Sequence, residues 1–103
     1  MIQFTIYIPT VRNGDRKEHC FTAWQHWEGR LFDLFGGFTC AGEVTGKWCD
    51  PSGNVIFDRS RQYILAVESG QETSVWDLLR EVKAQFDQVC IYAAITSNDA
   101  HLV

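Results

Sequence analysis

The sequence lacks any continuous apolar run that approaches the roughly 20 residues of a membrane-spanning helix. The stretch from Met1 to Thr10 alternates polar and apolar residues, whereas a secretory signal would be continuously apolar. We therefore expect a cytoplasmic protein that does not enter a membrane.

An excess of positive charge is also missing. Nine Lys and Arg stand against 13 Asp and Glu, which gives a formal net charge of −4. Such a chain has no overall positive field to attract nucleic-acid phosphates. The basic aromatic motif that RNA-recognition domains carry on their third strand is absent as well. We expect no nucleic-acid partner.

The four cysteines, Cys20, Cys40, Cys49 and Cys90, include no C-x-x-C pair of the kind that zinc sites and thiol oxidoreductases use. In a reducing compartment a free cysteine behaves as a small hydrophobic residue. We therefore expect no metal, no cofactor and no structural disulfide.

What the chain does have is apolar and aromatic side chains, at 46% and 14% of its residues. A chain of 103 residues has the size of one domain, and this composition gives it an aromatic-rich core. We therefore treat residues 1–103 as a single domain.

Hydrophobic periodicity places six elements along the chain. Alternation of polar and apolar residues predicts strands over 2–8, 38–49, 55–68 and 89–96, and steps of three and four predict helices over 21–35 and 74–86. Gly36-Gly37 suits the end of the first helix, Asp50 to Asn54 suits a turn, and Ser74 with Asp77 suits the N-cap of the second helix.

The resulting order, β-α-β-β-α-β, predicts a ferredoxin-like α+β fold with a four-stranded antiparallel sheet and both helices on one face. Gly42 and Gly46 favour an edge position or a bulge for the second strand, and the apolar run 63–67 favours an interior third strand. The sheet face without helices would carry Tyr7 and Tyr92, with Tyr63 as a further candidate. A face of this kind needs cover, and a second copy of the chain is the commonest cover, so Tyr7 and Tyr92 are predicted interface residues of a homodimer.

One group of residues suggests a ligand site. Trp48, Arg59, Arg61 and Tyr63 place cations and aromatic rings on paired strands, an arrangement that stacks with and holds an anionic planar ligand such as a nucleotide. The alternative is an ordinary solvated strand face, since Asp58 stands beside Arg59.

The stretch from Trp24 to Val67 resembles a group of small bacterial proteins of unknown function. The resemblance rests on Phe35-Gly36-Gly37-Phe38, Gly46-Lys47-Trp48, Asp50-Pro51-Ser52-Gly53 and Asp58-Arg59-Ser60. Members of the group resemble the ferredoxin-like dimeric α+β barrels, so the resemblance implies that fold and carries no catalytic residue with it. Small acidic proteins of this sort also resemble products of mobile gene cassettes or phages.

From the sequence, the favoured function is a non-enzymatic module that binds a small, hydrophobic molecule or a protein partner and acts as a homodimer. One alternative is a cofactor-independent dimeric α+β barrel enzyme that acts on a hydrophobic small molecule between sheet and helices, with His26, Trp48 or Tyr63 as polar contacts. Another is an acidic accessory or inhibitor protein from a mobile element, which predicts contiguous surface carboxylates.

Overall fold

The computed structural model describes residues 1–103. In chain order the elements are β1 (Ile2–Pro9), α1 (Phe21–Phe35), β2 (Thr39–Cys49), β3 (Val55–Val67), α2 (Glu72–Gln85) and β4 (Tyr92–Ser97). The strands form one antiparallel sheet in the order β2-β3-β1-β4. The predicted β-α-β-β-α-β fold is confirmed, with β3 interior and β2 at an edge. No helix is both long and apolar enough to cross a bilayer.

The core lies between one face of the sheet and the two helices. Alternate residues of β1 and β3 point into it, and each helix contributes an apolar stripe. The stripe of α1 is buried over Trp24, Trp27 and Leu31, while Leu34 of the predicted stripe is exposed. The fourteen buried apolar side chains are Phe4, Ile6, Ile8, Trp24, Trp27, Leu31, Tyr63, Leu65, Val67, Val75, Leu78, Leu79, Val82 and Phe86. The opposite sheet face, which we call the open face, has no helix over it.

Glycine and a capping carboxylate shape the chain around β2. Gly36 ends α1 in the left-handed conformation, with φ of 82°, and its N–H donates to the Phe32 carbonyl. Gly42 has φ of 92°, and the register of β2 against β3 shifts between Cys40 and Gly42, so this glycine forms a bulge. At the hairpin turn the Asp50 carboxylate accepts bonds from the N–H groups of residues 52 and 54, at 2.9 Å each.

Two predicted boundaries were wrong. Helix α2 begins at Glu72 after Gln71, so Ser74 lies inside the first turn and does not cap it. Strand β4 begins at Tyr92 and not at Val89, which is 73% exposed. The chain reverses direction at Asp87, which has a positive φ of 48°. The residues that follow connect α2 to β4 and do not yet pair in the sheet.

The predicted position of Tyr63 on the open face was also wrong. Tyr63 pairs with Ile6 on the helix side of the sheet and is fully buried. Side chains of a strand alternate between faces, so Tyr63 cannot share a face with Tyr7, whose partner on β3 is Gln62. The cysteines, expected to behave as small hydrophobic residues, are all free and exposed.

Candidate functional site

The residues of the predicted ligand site lie on two faces of the sheet. Arg59, Arg61 and Tyr63 alternate along β3 and point toward the helix side, where Tyr63 is buried. Trp48 pairs with Ile56, which has the opposite parity, so the indole lies on the open face. The structure therefore brings three of the four residues together and separates Trp48 from them.

On the helix side, carboxylates pair with both arginines of this group. The guanidinium of Arg59 lies 2.8 Å from a carboxylate oxygen of Glu18 and 3.2 Å from one of Glu43. That of Arg61 lies 3.8 Å from Glu28. Both guanidinium groups thus have a negative partner, which reduces the attraction that this surface offers to an anionic ligand.

Aromatic packing holds the same cluster against α1. The Arg61 guanidinium lies 4.0 Å from the centre of the Trp24 ring. The Tyr63 hydroxyl donates a 2.7 Å hydrogen bond to the Glu28 carboxylate. Burial, reinforced by this carboxylate, raises the pKa of Tyr63 far above its ordinary value, so the phenol stays a neutral donor. These contacts join β3 to α1. His26, a predicted polar contact in the enzyme alternative, is exposed on α1 and lies outside the core.

A shallow concavity of about 210 Å³ opens beside this cluster, and His19 forms part of its lining. The Nε2 atom of His19 lies 2.9 Å from the Pro9 carbonyl. The imidazole packs edge-on against Trp24 and Phe86, with ring centres 5.5 and 4.7 Å away. Burial lowers the pKa of His19 below its ordinary value, although the bond to Pro9 acts in the opposite direction.

We expect His19 to make the fold less stable in mild acid. Its pKa is lower in the folded than in the unfolded chain, so its stabilising contribution is complete above about pH 6.5 and declines as the pH falls toward the folded-state pKa. Urea unfolding at a series of pH values should show this slope for the native chain and less of it for His19→Gln. Equal slopes in the two proteins would show that the imidazole does not titrate with folding.

The open face carries a second concavity, of about 190 Å³, which we call the aromatic cleft. Strands β1, β2 and β3 all contribute to it, because Val44 pairs with Ser60, Ser60 pairs with Pro9, and Gly46 pairs with Asp58. Its lining residues are Tyr7, Val44, Thr45, Gly46, Lys47, Trp48, Asp58 and Ser60.

Asp58 gives this cleft its charge. The side chain is half-buried, and its carboxylate has neither an ion pair nor a hydrogen bond within the chain. The nearby cations are directed elsewhere: Arg59 points to the other face, and the Lys47 ammonium lies 5.5 Å from the centre of the Phe57 ring. An unpaired carboxylate beside Tyr7 and Trp48 offers a cation both an opposite charge and aromatic faces.

The two predicted dimer residues stand beside the cleft. Tyr7 and Tyr92 stack on the open face with ring centres 5.0 Å apart and an interplanar angle of 26°. Tyr92 remains 52% exposed. The structure thus places both residues on the uncovered face, and Tyr7 belongs to the stacked pair and to the cleft.

Asp58 was not predicted as a site residue, because in the sequence it stands beside Arg59 as a neighbour that neutralises the arginine. The turn from Asp50 to Asn54 contains the information that places Asp58 on the same face as Trp48. If Cys49 pairs with Val55 across Asp50 to Asn54, then Trp48 pairs with Ile56 and Gly46 with Asp58. Counting by twos from that turn separates Trp48 from Arg59 and places it on the same face as Asp58.

No protein-family model matches the chain, and no curated protein matches its sequence. Among solved structures, it is similar to a phage S-adenosylmethionine (SAM) lyase in complex with S-methyl-5'-thioadenosine. The similarity covers 96% of this chain and 92% of the lyase chain, with a TM-score of 0.59 and 15% sequence identity. At that identity the likeness shows a shared fold.

Proposed function

We propose that this chain is a small-ligand-binding module whose aromatic cleft takes a sulfonium compound of the SAM type. The unpaired, half-buried carboxylate of Asp58 carries the proposal. A sulfonium has a positive charge and apolar substituents, so a carboxylate flanked by Tyr7 and Trp48 suits it better than it suits a phosphate. On the helix side the guanidinium groups already pair with carboxylates, so that surface is less suited to an anionic ligand than the cleft is to a cation.

The fold supports the same class of ligand. The lyase with the similar fold is named for SAM, and its bound molecule is a thioether nucleoside. SAM joins an adenine ring to a sulfonium, and an aromatic ring and a carboxylate are groups that recognise these two parts. The cleft, at about 190 Å³, is smaller than the ~300 Å³ at which pockets for whole drug-sized molecules begin. One part of the ligand would fill it and the remainder would lie along the open face.

A lyase activity on SAM is the second candidate, and the shared fold favours it. Conversion of SAM to its methylthio nucleoside breaks the bond between sulfur and the aminobutyrate carbon, and that carbon gains a bond to the substrate's own carboxylate, which leaves as a lactone. The bonding electrons stay on sulfur and remove its positive charge. A carboxylate that holds the sulfonium stabilises the ground state more than such a transition state, and only preferential binding of the transition state accelerates a reaction. Asp58 therefore supports binding more than cleavage, which favours the non-enzymatic module.

The module acts as a homodimer in this proposal, with the β4 side of the open face, around Tyr92, as the contact between copies and the β2 side, with Trp48 and Asp58, left to the ligand. The exposed Tyr92 and its stack on Tyr7 support that arrangement. The acidic-inhibitor alternative has less support, because several surface carboxylates are interleaved with arginine partners. These pairs are Glu18 and Glu43 with Arg59, Glu81 with Arg30, and Asp77 with Arg80.

Asp58→Asn should weaken SAM binding by about 10- to 100-fold, since a charge-assisted contact in a partly buried site contributes ~1.5–3 kcal/mol. Titration calorimetry with the purified chain measures the dissociation constant. Asp33→Asn removes the same charge from an exposed position on α1 and is the matched control, with no expected change. The neutral methylthio nucleoside should bind equally well to the native chain and to Asp58→Asn.

The same samples separate the two candidate functions. Chromatography of SAM incubated with the native chain should show SAM unchanged if the protein only binds it. Accumulation of the methylthio nucleoside at a rate above that of buffer would establish the lyase instead. No detectable heat with SAM at millimolar concentration, or equal affinity in the native chain and Asp58→Asn, would refute the cleft as a sulfonium site.

A further inference from the structure

The indole of Trp48 lies directly over Gly46. A Cβ atom added to Gly46 would stand 2.7 Å from the indole Nε1 and 3.0 Å from Cε2. Real Cβ atoms essentially never approach other heavy atoms closer than 3.0 Å, so any other residue at position 46 would displace the ring. Trp48 is 50% exposed, which leaves a substantial part of its surface open to the cleft and the solvent.

The backbone itself does not require glycine at this position. The glycines with positive φ are Gly36, Gly42, Gly53 and Gly70, and Gly46 is not among them. Alanine would adopt its extended conformation without strain, and Ala generally suits a strand at least as well as glycine. The constraint on Gly46 is therefore the space that the indole occupies.

We propose that Gly46 is a positioning residue that seats the Trp48 indole as a stacking platform for a planar heteroaromatic ring of the ligand. This inference rests on the proposed function and deepens it, because it assigns the purine part of a SAM-type ligand to Trp48. Stacking of a base on an aromatic side chain is a strong and sequence-tolerant contact, since every base has a flat π-face.

The register places the two recognition elements side by side. Gly46 and Asp58 are direct partners across β2 and β3, and both line the cleft. Opposite residues of an antiparallel pair have Cα atoms only ~4.5–5.5 Å apart. A ring on Trp48 and a cation at Asp58 are thus close enough to belong to one molecule, and the cleft recognises the nucleoside and the sulfonium of that molecule by separate side chains.

Three probes separate these two parts. SAM has a purine and a sulfonium, S-methyl-5'-thioadenosine has the purine alone, and S-methylmethionine has the sulfonium alone. With Gly46→Ala we expect the dissociation constants of SAM and of S-methyl-5'-thioadenosine to rise by about tenfold or more. That of S-methylmethionine should change far less, because Asp58 and Tyr7 still hold the sulfonium. Gly29→Ala is the matched control, because a Cβ at Gly29 meets nothing within 4 Å, and all three affinities should be retained.

A double-substitution cycle tests whether Gly46 acts through the indole. Trp48→Leu should weaken both purine probes, and adding Gly46→Ala to it should have no further effect, since the ring that the methyl group displaces is gone. In the native background, Gly46→Ala should also change the tryptophan fluorescence response to S-methyl-5'-thioadenosine.

Unchanged binding of S-methyl-5'-thioadenosine by Gly46→Ala would overturn the inference. An equal loss for all three probes would overturn it too, because it would mean that the substitution disturbs the whole cleft. If the native chain binds S-methyl-5'-thioadenosine but neither SAM nor S-methylmethionine, the result refutes the sulfonium site at Asp58 and is consistent with purine stacking on Trp48. If S-methylmethionine binds and neither purine probe does, the platform falls and the sulfonium site stands.

Discussion

Trp27→Ala should lower the free energy of unfolding by about 3–5 kcal/mol, the usual cost of removing a large aromatic side chain from a core. Trp27 is fully buried between α1 and the sheet. Its ring meets Tyr63 edge-on at 5.6 Å and Phe86 at 6.5 Å. Domains of this size are stable by only ~5–15 kcal/mol, so the variant loses a large part of its total stability.

The conservative change Trp27→Phe should cost much less. The indole N–H of Trp27 has no hydrogen-bond partner, so its removal sacrifices no bond and leaves only a smaller volume to be refilled. Urea unfolding followed by circular dichroism measures both variants. Phe21→Ala is the control, since Phe21 is 77% exposed and should change stability by less than about 0.5 kcal/mol. A cost below about 1 kcal/mol for Trp27→Ala would contradict the packing of α1 on the sheet.

Trp27 also illustrates why the fold was predictable from the sequence. The spacing of Trp24, Trp27, Leu31, Leu34 and Phe35 predicts one buried helix face. The first three are buried, whereas Phe35 is half-buried and Leu34, at the end of the helix, is 42% exposed. Alternation in β1 likewise predicts Phe4, Ile6 and Ile8 on the core side, where the structure has them. Hydrophobic periodicity reflects which side chains are buried, so it predicts an element correctly where one face of that element is well buried. The ends of α2 and β4 are set by capping and turn contacts, which periodicity does not report, and the two predictions made there were wrong.

The candidate site was less predictable for a related reason. Its residues come from three strands, and a one-residue error in parity moves a side chain to the opposite face. In β2 this parity is difficult to predict, because the bulge at Gly42 shifts the register of the strand against β3. The pairing is regular between Gly42 and the turn at Asp50, so the faces of its residues can be assigned by counting back from that turn. Trp48 was therefore grouped with Arg59 and Arg61, although it lines the cleft on the opposite face together with Asp58.

Whether the open face is covered decides how much of the cleft a free ligand can reach. Its exposed aromatic residues include Tyr92, at 52%, and Trp48, at 50%, at opposite sides of the sheet. An uncovered sheet face with large aromatic side chains is a typical interaction surface. In a two-fold dimer the same patch from both copies would meet, so one substitution acts twice.

Tyr92→Glu should therefore convert the proposed dimer to a monomer. The free chain tolerates the carboxylate because position 92 is half exposed on an edge strand. In the dimer the same carboxylate would be buried without a partner, which costs several kcal/mol per copy, so the dimer dissociation constant should rise by at least about a hundredfold. Light scattering of the native chain should give twice the chain mass, and that of the variant one chain mass.

Two matched variants make this result specific to the open face. Tyr92→Phe keeps the stack on Tyr7 and should remain dimeric, and Gln25→Glu adds the same charge to an exposed position on α1 and should remain dimeric as well. A Tyr92→Glu protein that is folded and still dimeric would place the contact elsewhere on the molecule. A native chain of single mass at all concentrations would rule out the homodimer and leave the whole cleft open to a ligand from solution.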